Sequence, residues 1–343
     1  MPGAPTIGLN AHVDTSSEFS GKNVNPQVIR NYRGGDIVLP KDPSRVIRVS
    51  EVPELNELVG KTIVTTDGTT LLGGDDKAGV AIIMEAAKTL AENPAIPHGP
   101  VKVVFTCDEE IGRGVQHLHP DELGAVVAYT LDGGGTAEVE CENFSGDKAT
   151  VTITGVNTHP GYAKGKMVSA IRLAGMFLER LPRRMLTPDT TEERQGFLHP
   201  YIIEGGVPQT TLHIILRDHH TPKLAEYANL LRDVAKQLEC EYPEAKVAVA
   251  ITEQYRNMLD GMSKEPRALP YALEAVRRAG LEPKQKLIRG GTDGAHLTAL
   301  GLPTPNLSAG EHNFHSPLEW VCLEEMEANV RTVIELVKVW AGK

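Results

Sequence analysis

The chain has 343 residues, 41% of them apolar and 23% charged, which excludes a disordered or fibrous protein and predicts two domains, because one core rarely serves that length. A net charge of −10 excludes the basic face that neutralises nucleic-acid phosphates. Cys107, Cys141, Cys240 and Cys322 are scattered and form no Cys-x-x-Cys pair, so neither a disulfide framework nor a zinc ribbon is expected.

The start, Met1-Pro2-Gly3-Ala4-Pro5-Thr6, has no basic or apolar signal region, and no apolar run is long enough to span a bilayer. A cytoplasmic protein without a membrane partner is expected. Thr6-Ile7-Gly8-Leu9-Asn10-Ala11-His12-Val13-Asp14 reads as a strand whose period of two places His12 and Asp14 on one side. One of the pair can bind a metal while the other orients it. Residues 15–60 carry Gly34-Gly35, Pro40, Pro43 and Pro53 with weak periodicity, which predicts a long ordered excursion.

Thr62-Ile63-Val64-Thr65-Thr66 before Asp67-Gly68 reads as a strand and tight turn. Leu71-Leu72-Gly73-Gly74-Asp75-Asp76 then opens a helix with Val80, Ile83, Met84, Ala87 and Leu90 at helical spacing. Either aspartate suits the N-cap, and a cap needs only one, so the second asks for another explanation.

Val103-Val104-Phe105-Thr106 runs into Cys107-Asp108-Glu109-Glu110. The apolar run predicts a strand buried in a sheet, with the acids at its carboxyl end, where open α/β sheets bind ligands. Adjacent carboxylates repel one another, and a bound cation stabilises them while leaving one free to handle a proton. Val126-Val127-Ala128-Tyr129-Thr130-Leu131-Asp132 is a second apolar strand ending in an acid. Cys107 reads as a small buried hydrophobe.

The rhythm then changes. A half-exposed strand at 149–153, a helix at 166–181, strands at 197–204 and 209–217, a helix at 222–238 and a strand at 246–252 follow the ferredoxin-like order β-α-β-β-α-β. Residues 146–257 are therefore read as a smaller domain inserted into a discontinuous one, 1–145 and 258–343. The larger domain resumes with a helix at 265–279, the Gly-rich Ile288-Arg289-Gly290-Gly291-Thr292-Asp293-Gly294, a strand at 304–307 and a helix at 324–340. That Gly-rich loop lacks the lysine of a phosphate cradle. The fold class is α/β, a mixed and largely parallel sheet flanked by helices, with the inserted domain beside it.

His12-x-Asp14, Gly74-Asp75-Asp76-Lys77-x-Gly79, Asp108-Glu109-Glu110, Asp132-Gly133-Gly134, Thr158-His159-Pro160-Gly161 and Asn313-Phe314-His315 occur in this order. In these motifs the chain resembles the dinuclear zinc family of aminopeptidases, carboxypeptidase G, aminoacylases and desuccinylases. Ser20-Gly21-Lys22-Asn23-Val24-Asn25-Pro26 and Asn31-Tyr32-Arg33-Gly34-Gly35-Asp36 are similar to its tripeptide-aminopeptidase branch. The resemblance implies two Zn²⁺ per subunit, replaceable by Co²⁺ or Mn²⁺. It makes His12, Asp75, Glu110, Asp132 and His315 metal ligands, with Asp75 bridging. Asp14 would fix the His12 tautomer from behind. Glu109 would be the general base, taking a proton from a zinc-bridging water and handing it to the leaving amine. Two ions bring four positive charges, which three carboxylates and one hydroxide balance. A cis peptide between Asp75 and Asp76 is also implied, and Gly74 stands where the family usually has alanine.

By the same resemblance, His159 reaches the transition-state oxygen of the other subunit in a homodimer formed through the inserted lid domain. Arg217 and Arg289 would grip the substrate carboxylate. The implied activity is removal of the N-terminal residue from tripeptides. A dipeptidase or N-acyl amino-acid deacylase on the same metal core is the alternative within hydrolases, because pocket shape and not the ligand set decides it. An inactive dimer or binding protein is the reading from another class. Members of the family carry several dozen residues before the His-x-Asp strand, so the catalytic domain starting at Met1 is expected to be incomplete, poorly soluble or weakly metallated.

Overall fold

A computed structural model describes residues 3–342; Met1, Pro2 and Lys343 lie outside the described residues, and with them the expectation attached to Met1. The chain forms two compact units, one of Met1–Cys141, Met258–Lys286 and Thr292–Lys343, the other of Glu142–Asn257 with Leu287–Gly291. The second unit begins slightly before residue 146 and takes in part of the Gly-rich return, because Phe144 N donates to the Ile288 carbonyl and the Arg289 guanidinium lies over the Phe144 ring. Among the described residues no helix is long and apolar enough to cross a membrane.

The first unit is built on a six-stranded sheet in the order Lys284–Ile288, Glu138–Asn143, Asn306–Leu307, Val127–Leu131, Ile7–His12, Val101–Thr106. The last four of these run parallel, and Glu138–Asn143 joins antiparallel. Ile7–His12 is buried along its whole length, as a strand flanked on both sides and covered on both faces must be. The helices Gly74–Glu92, Ala268–Arg278 and Leu323–Trp340 share a core with it that includes Ile82, Ile83, Tyr129, Leu336 and Trp340.

Two expectations change here. The buried stripe of Gly74–Glu92 is Ala78, Ile82, Ile83, Ala86 and Leu90, and Met84 is exposed; the apolar spacing was right for a helix but out of phase by one residue at Met84. Val101–Thr106 was expected inside the sheet and is its edge, so Val103 and Phe105 are each 39% exposed. Apolar composition identifies a strand, whereas its place in the sheet depends on partners distant in sequence.

The excursion over residues 15–60 is ordered by a second small core. Tyr32, Ile37, Leu39, Ile47, Leu55 and Leu58 pack on Ile63, Trp320 and Cys322. A four-stranded sheet in the order Glu311–His312, Trp320–Cys322, Ile63–Thr65, Gln27–Ile29 backs this cluster. Short strands separated by Pro and Gly hide such a core from periodicity, because no segment is long enough to show a period.

The second unit has a four-stranded antiparallel sheet in the order Phe197–Gly205, Gln209–Asp218, Ser145–Thr154, Lys246–Tyr255. The helices Ala170–Glu179 and Pro222–Glu241 cover the face carrying Ala149, Val151, Ile153, Leu212, Ile214 and Leu216. Alternate residues of each strand thus meet the helices, as the period of two requires. Phe197–Gly205 is an edge strand that exposes Tyr201, Ile202 and Ile203.

Gly79 sets how closely the first helix approaches the sheet. A Cβ there would stand 1.9 Å from the Leu131 carbonyl oxygen and 2.3 Å from Asp76 Oδ1. Gly79→Ala is expected to destabilise the protein by at least about 2 kcal/mol, since neither backbone can retreat without parting helix from strand. Thermal denaturation checks this; a melting temperature equal to that of the wild type would mean that the approach is not constrained.

Candidate metal centre

Three parallel strands deliver their carboxyl ends to one edge of the sheet. Register aligns His12 with Thr106 and Asn10 with Thr130, so His12, Asp132 and the turn Asp108-Glu109-Glu110 emerge together. The turn is a 3-10 segment, Glu109–Ile111, entered through Asp108 in the left-handed region at φ 67° and left through Gly112 at φ 70°. Short polar residues tolerate that conformation better than branched ones. Asp14 ties the strand end to the turn: its Oδ1 accepts from the Glu109 N–H at 3.2 Å and its Oδ2 from the Glu110 N–H at 3.2 Å. The same Oδ1 lies 3.3 Å from His12 Nδ1.

Asp75 and Asp76 arrive from the start of the helix Gly74–Glu92, joined by a cis peptide bond. They divide the work. Asp76 is fully buried, and its Oδ1 accepts from Gly79 N at 3.0 Å while its Oδ2 accepts from His12 N at 2.9 Å. It therefore caps the helix and docks it onto the strand end. Asp75 is left to face the histidines. Glu319, 1% exposed, holds the loop ahead of it, accepting from Leu72 N at 2.7 Å, Gly73 N at 2.8 Å and Asp75 N at 2.9 Å. A Cβ on Gly74 would come within 2.7 Å of Val321 Cγ1, so glycine suits this chain where Val321 fills the space.

Asp75 stands between two histidines. Its Oδ1 is 2.8 Å from His12 Nε2, and its Oδ2 is 3.2 Å from His315 Nε2. His12 Nε2 is also 3.7 Å from Asp132 Oδ1, and His315 Nε2 is 3.0 Å from Glu110 Oε2. Each of the sets His12, Asp75, Asp132 and Asp75, Glu110, His315 has its ligand atoms within 4.8 Å of one another. Asp75 Oδ1 and Glu110 Oε1 are buried and accept no hydrogen bond. Nitrogen and oxygen donors in two sets of three, sharing one carboxylate, fit a pair of borderline divalent ions such as zinc, cobalt or manganese.

The electrostatics ask for positive charge. Burial works against a charged His12, but Asp132 and Asp75 outweigh it and raise its proton affinity far above the ordinary histidine value. Burial likewise opposes the Asp75 anion, yet His12 and His315 hold it below the usual carboxylate range. Asp75 and Glu110 push His315 up to about 10. Burial, with the negative charge of Asp75, pushes Asp132 up to about 6. Glu109 belongs to neither set of three; burial, followed by the charge of Asp132, pushes it up to about 9. A bound cation reverses this pattern by supplying charge that protons otherwise provide.

The other expected site residues lie in the second unit. His159 is on an exposed loop, its Nδ1 accepting from Gly161 N at 3.2 Å and its ring 5.2 Å from that of Tyr162. Arg217 is buried, donating to the carbonyls of Asp147 and Leu216 and to Gln254 Oε1, over the Tyr255 ring. Arg289 donates to the carbonyls of Glu193, Gln195 and Thr191. Both guanidiniums are thus occupied within their own unit. Cys107, expected buried, is exposed, as follows from its place after an edge strand. Sequence reasoning missed Glu319 and the buried Glu311; their only local signal is an acid set against apolar neighbours, as in Leu318-Glu319-Trp320-Val321.

A sheet-edge cluster with two histidines sharing a carboxylate, and a separate half-buried glutamate beside it, has the ligand types of a metallohydrolase centre on an α/β scaffold. Residues 65–339 match Peptidase family M20/M25/M40, and the chain belongs to that family. It is 43% identical over 339 residues to peptidase T of Halothermothrix orenii, covering 99% of this chain and 83% of the relative. Among solved structures, aminopeptidase PepT from Bacillus cereus matches with a TM-score of 0.77 at 24% identity, over 100% of this chain and 82% of that one. A tripeptidase from Staphylococcus aureus matches with a TM-score of 0.78 at 23% identity, over 99% and 82%. At those identities the two structures share the fold.

Glu319 generates a test. Glu319→Ala removes the acceptor for three backbone N–H groups of the loop bearing Asp75, so metal affinity is expected to fall roughly 10–100-fold. Competition with a chromophoric chelator measures it; unchanged affinity in a folded variant would show that the loop holds its shape without the glutamate.

Proposed function

We propose that this protein is a two-metal aminopeptidase that removes the N-terminal residue from tripeptides. The observation that carries the reading is the placement of Asp75 between His12 and His315, with half-buried Glu109 outside both ligand sets yet among the same charges. His12 and Asp132 would hold one zinc, Glu110 and His315 the other, and Asp75 both; cobalt or manganese are substitutes with similar preferences. When bound, the ions supply Lewis acidity toward the scissile carbonyl and lower the pKa of water.

Glu109 takes a proton from the attacking water as the new C–O bond forms, then returns it to the amine as the C–N bond breaks. Asp14 positions this pair of roles, since one carboxylate faces the His12 ring and accepts from the backbone of Glu109 and Glu110.

The second unit is read as a lid and dimerisation domain. Its exposed edge strand, with Tyr201, Ile202 and Ile203, is the kind of surface that a symmetric partner covers. His159 would then act on the transition-state oxygen in the partner's site. Arg289, whose carbonyl partners are exposed, can exchange them for a substrate carboxylate more readily than the buried Arg217. A cytoplasmic location accords with four cysteines that form no disulfide.

Glu109→Gln is expected to retain both metals and lose about 10²–10⁴-fold in turnover of tripeptides, because the proton acceptor goes while the ligands remain. If Glu109→Gln loses metal and Glu110→Gln does not, their roles are reversed. Chelation should abolish activity on a panel of tripeptides, dipeptides and N-acyl amino acids, with zinc, cobalt or manganese restoring it on tripeptides first. Finally, mixing His159→Ala with Glu109→Gln subunits is expected to restore part of the activity. Its absence among subunits that demonstrably exchange would confine His159 to its own chain.

A further inference from the structure

Behind the two ligand sets lies a third group of acids, and two of its members, Asp76 and Glu311, have no part in the reaction. One oxygen each of Asp76, Asp132 and Glu311 lies within 4.8 Å of the others. Glu311 is 1% exposed, and neither of its carboxylate oxygens accepts a hydrogen bond. Asp76 is no freer to neutralise it, because its oxygens accept from the backbone N–H groups of Gly79 and His12. Among the described residues no lysine or arginine pairs with any of the three.

We propose that Asp76, Asp132 and Glu311 form a third cation site, for a hard divalent ion such as calcium or magnesium. The donors are all carboxylate oxygens, without the nitrogen that zinc sites draw on, and that donor set selects hard ions. Charge gives the valence. In the two-metal reading Asp75, Glu110 and Asp132 are already balanced by the catalytic ions, which leaves Asp76 and Glu311 with two uncompensated buried charges. One divalent ion cancels them. An unpaired buried carboxylate is otherwise among the most costly groups a protein can carry.

The surroundings of Glu311 are acidic as well. Glu311 lines a cavity of about 510 Å³ whose wall also includes Glu54, Glu57, Glu138 and Glu325, with Lys61, Lys284 and Lys286 opposite in charge. The negative side chains outnumber the positive ones, so the cavity concentrates cations at its mouth. An ion held by the three carboxylates would fix Asp76, which docks the first helix onto His12, and would orient Asp132 toward the catalytic set. Its role is therefore structural, and its site adjoins the proposed catalytic ions through Asp132.

The experiment is a metal count on the whole protein, loaded with zinc, freed of excess, and dialysed against calcium chloride or magnesium chloride. The wild type is expected to hold two zinc ions and one calcium or magnesium per chain by elemental analysis, with a higher melting temperature when the third ion is present. Glu311→Gln keeps the side chain's shape and is expected to retain the two zinc ions while losing the third, with affinity for calcium or magnesium at least tenfold weaker. Two results would overturn the site: a wild type that holds only the two zinc ions, or a Glu311→Gln variant that binds the third ion as tightly. A proton shared between Asp76 and Glu311 would produce the first, with the variant as stable as the wild type. The wild-type count decides the matter even if the variant does not fold. Fewer than two zinc ions with one calcium retained would instead break the two-metal reading and leave this site standing.

Discussion

Like charge gathered at one edge of a parallel sheet governs this structure. Parallel pairing fixes the relative heights of Ile7–His12, Val101–Thr106 and Val127–Leu131, and each of these strands ends in or just before a side chain that can ligate. The helix Gly74–Glu92 adds two more carboxylates at the same place. Little water reaches His12, Asp76 or Glu311, so repulsion among these groups is weakly screened. The cluster holds together through positive charge brought to it and through backbone groups aimed at it.

Those backbone groups are supplied with economy. Asp14, Asp76 and Glu319 each accept hydrogen bonds from main-chain N–H groups, and each fixes a different neighbour: the acidic turn, the helix against the first strand, and the loop ahead of Asp75. Two or three such bonds stabilise part of a carboxylate's negative charge and leave the rest for a cation. The residues that face the centre, Asp75 and Glu110, instead turn oxygens toward the two histidines.

The second unit shows the opposite economy. Its arginines spend their donors on carbonyls of the surrounding loops and strands, and aromatic rings cover them. Such guanidiniums stiffen the ferredoxin-like sheet and its return segment. Any part they play in grasping an anion requires an exchange of partners, which is cheaper for the more exposed Arg289.

Much was legible in the sequence because it depended on local or strictly ordered information. The βαββαβ order of residues 146–257 and the acids closing the 101–106 and 126–132 strands follow from periods and composition, which each segment carries for itself. The motifs around His12, Asp75, Glu110, Asp132 and His315 were readable as a set of ligand types in order. Periodicity and capping left Asp75 and Asp76 equivalent, and the resemblance alone singled out Asp75; the structure supplies the physical reason, because strand Ile7–His12 offers its N–H to Asp76. Only the tertiary structure decided that Val101–Thr106 is an edge, that residues 15–60 close a core on Trp320, and that Glu319 and Glu311 reach the centre from the far end of the chain. Each of these is a contact between segments distant in sequence. No local pattern encodes it, because the partner that gives the residue its meaning lies elsewhere in the chain.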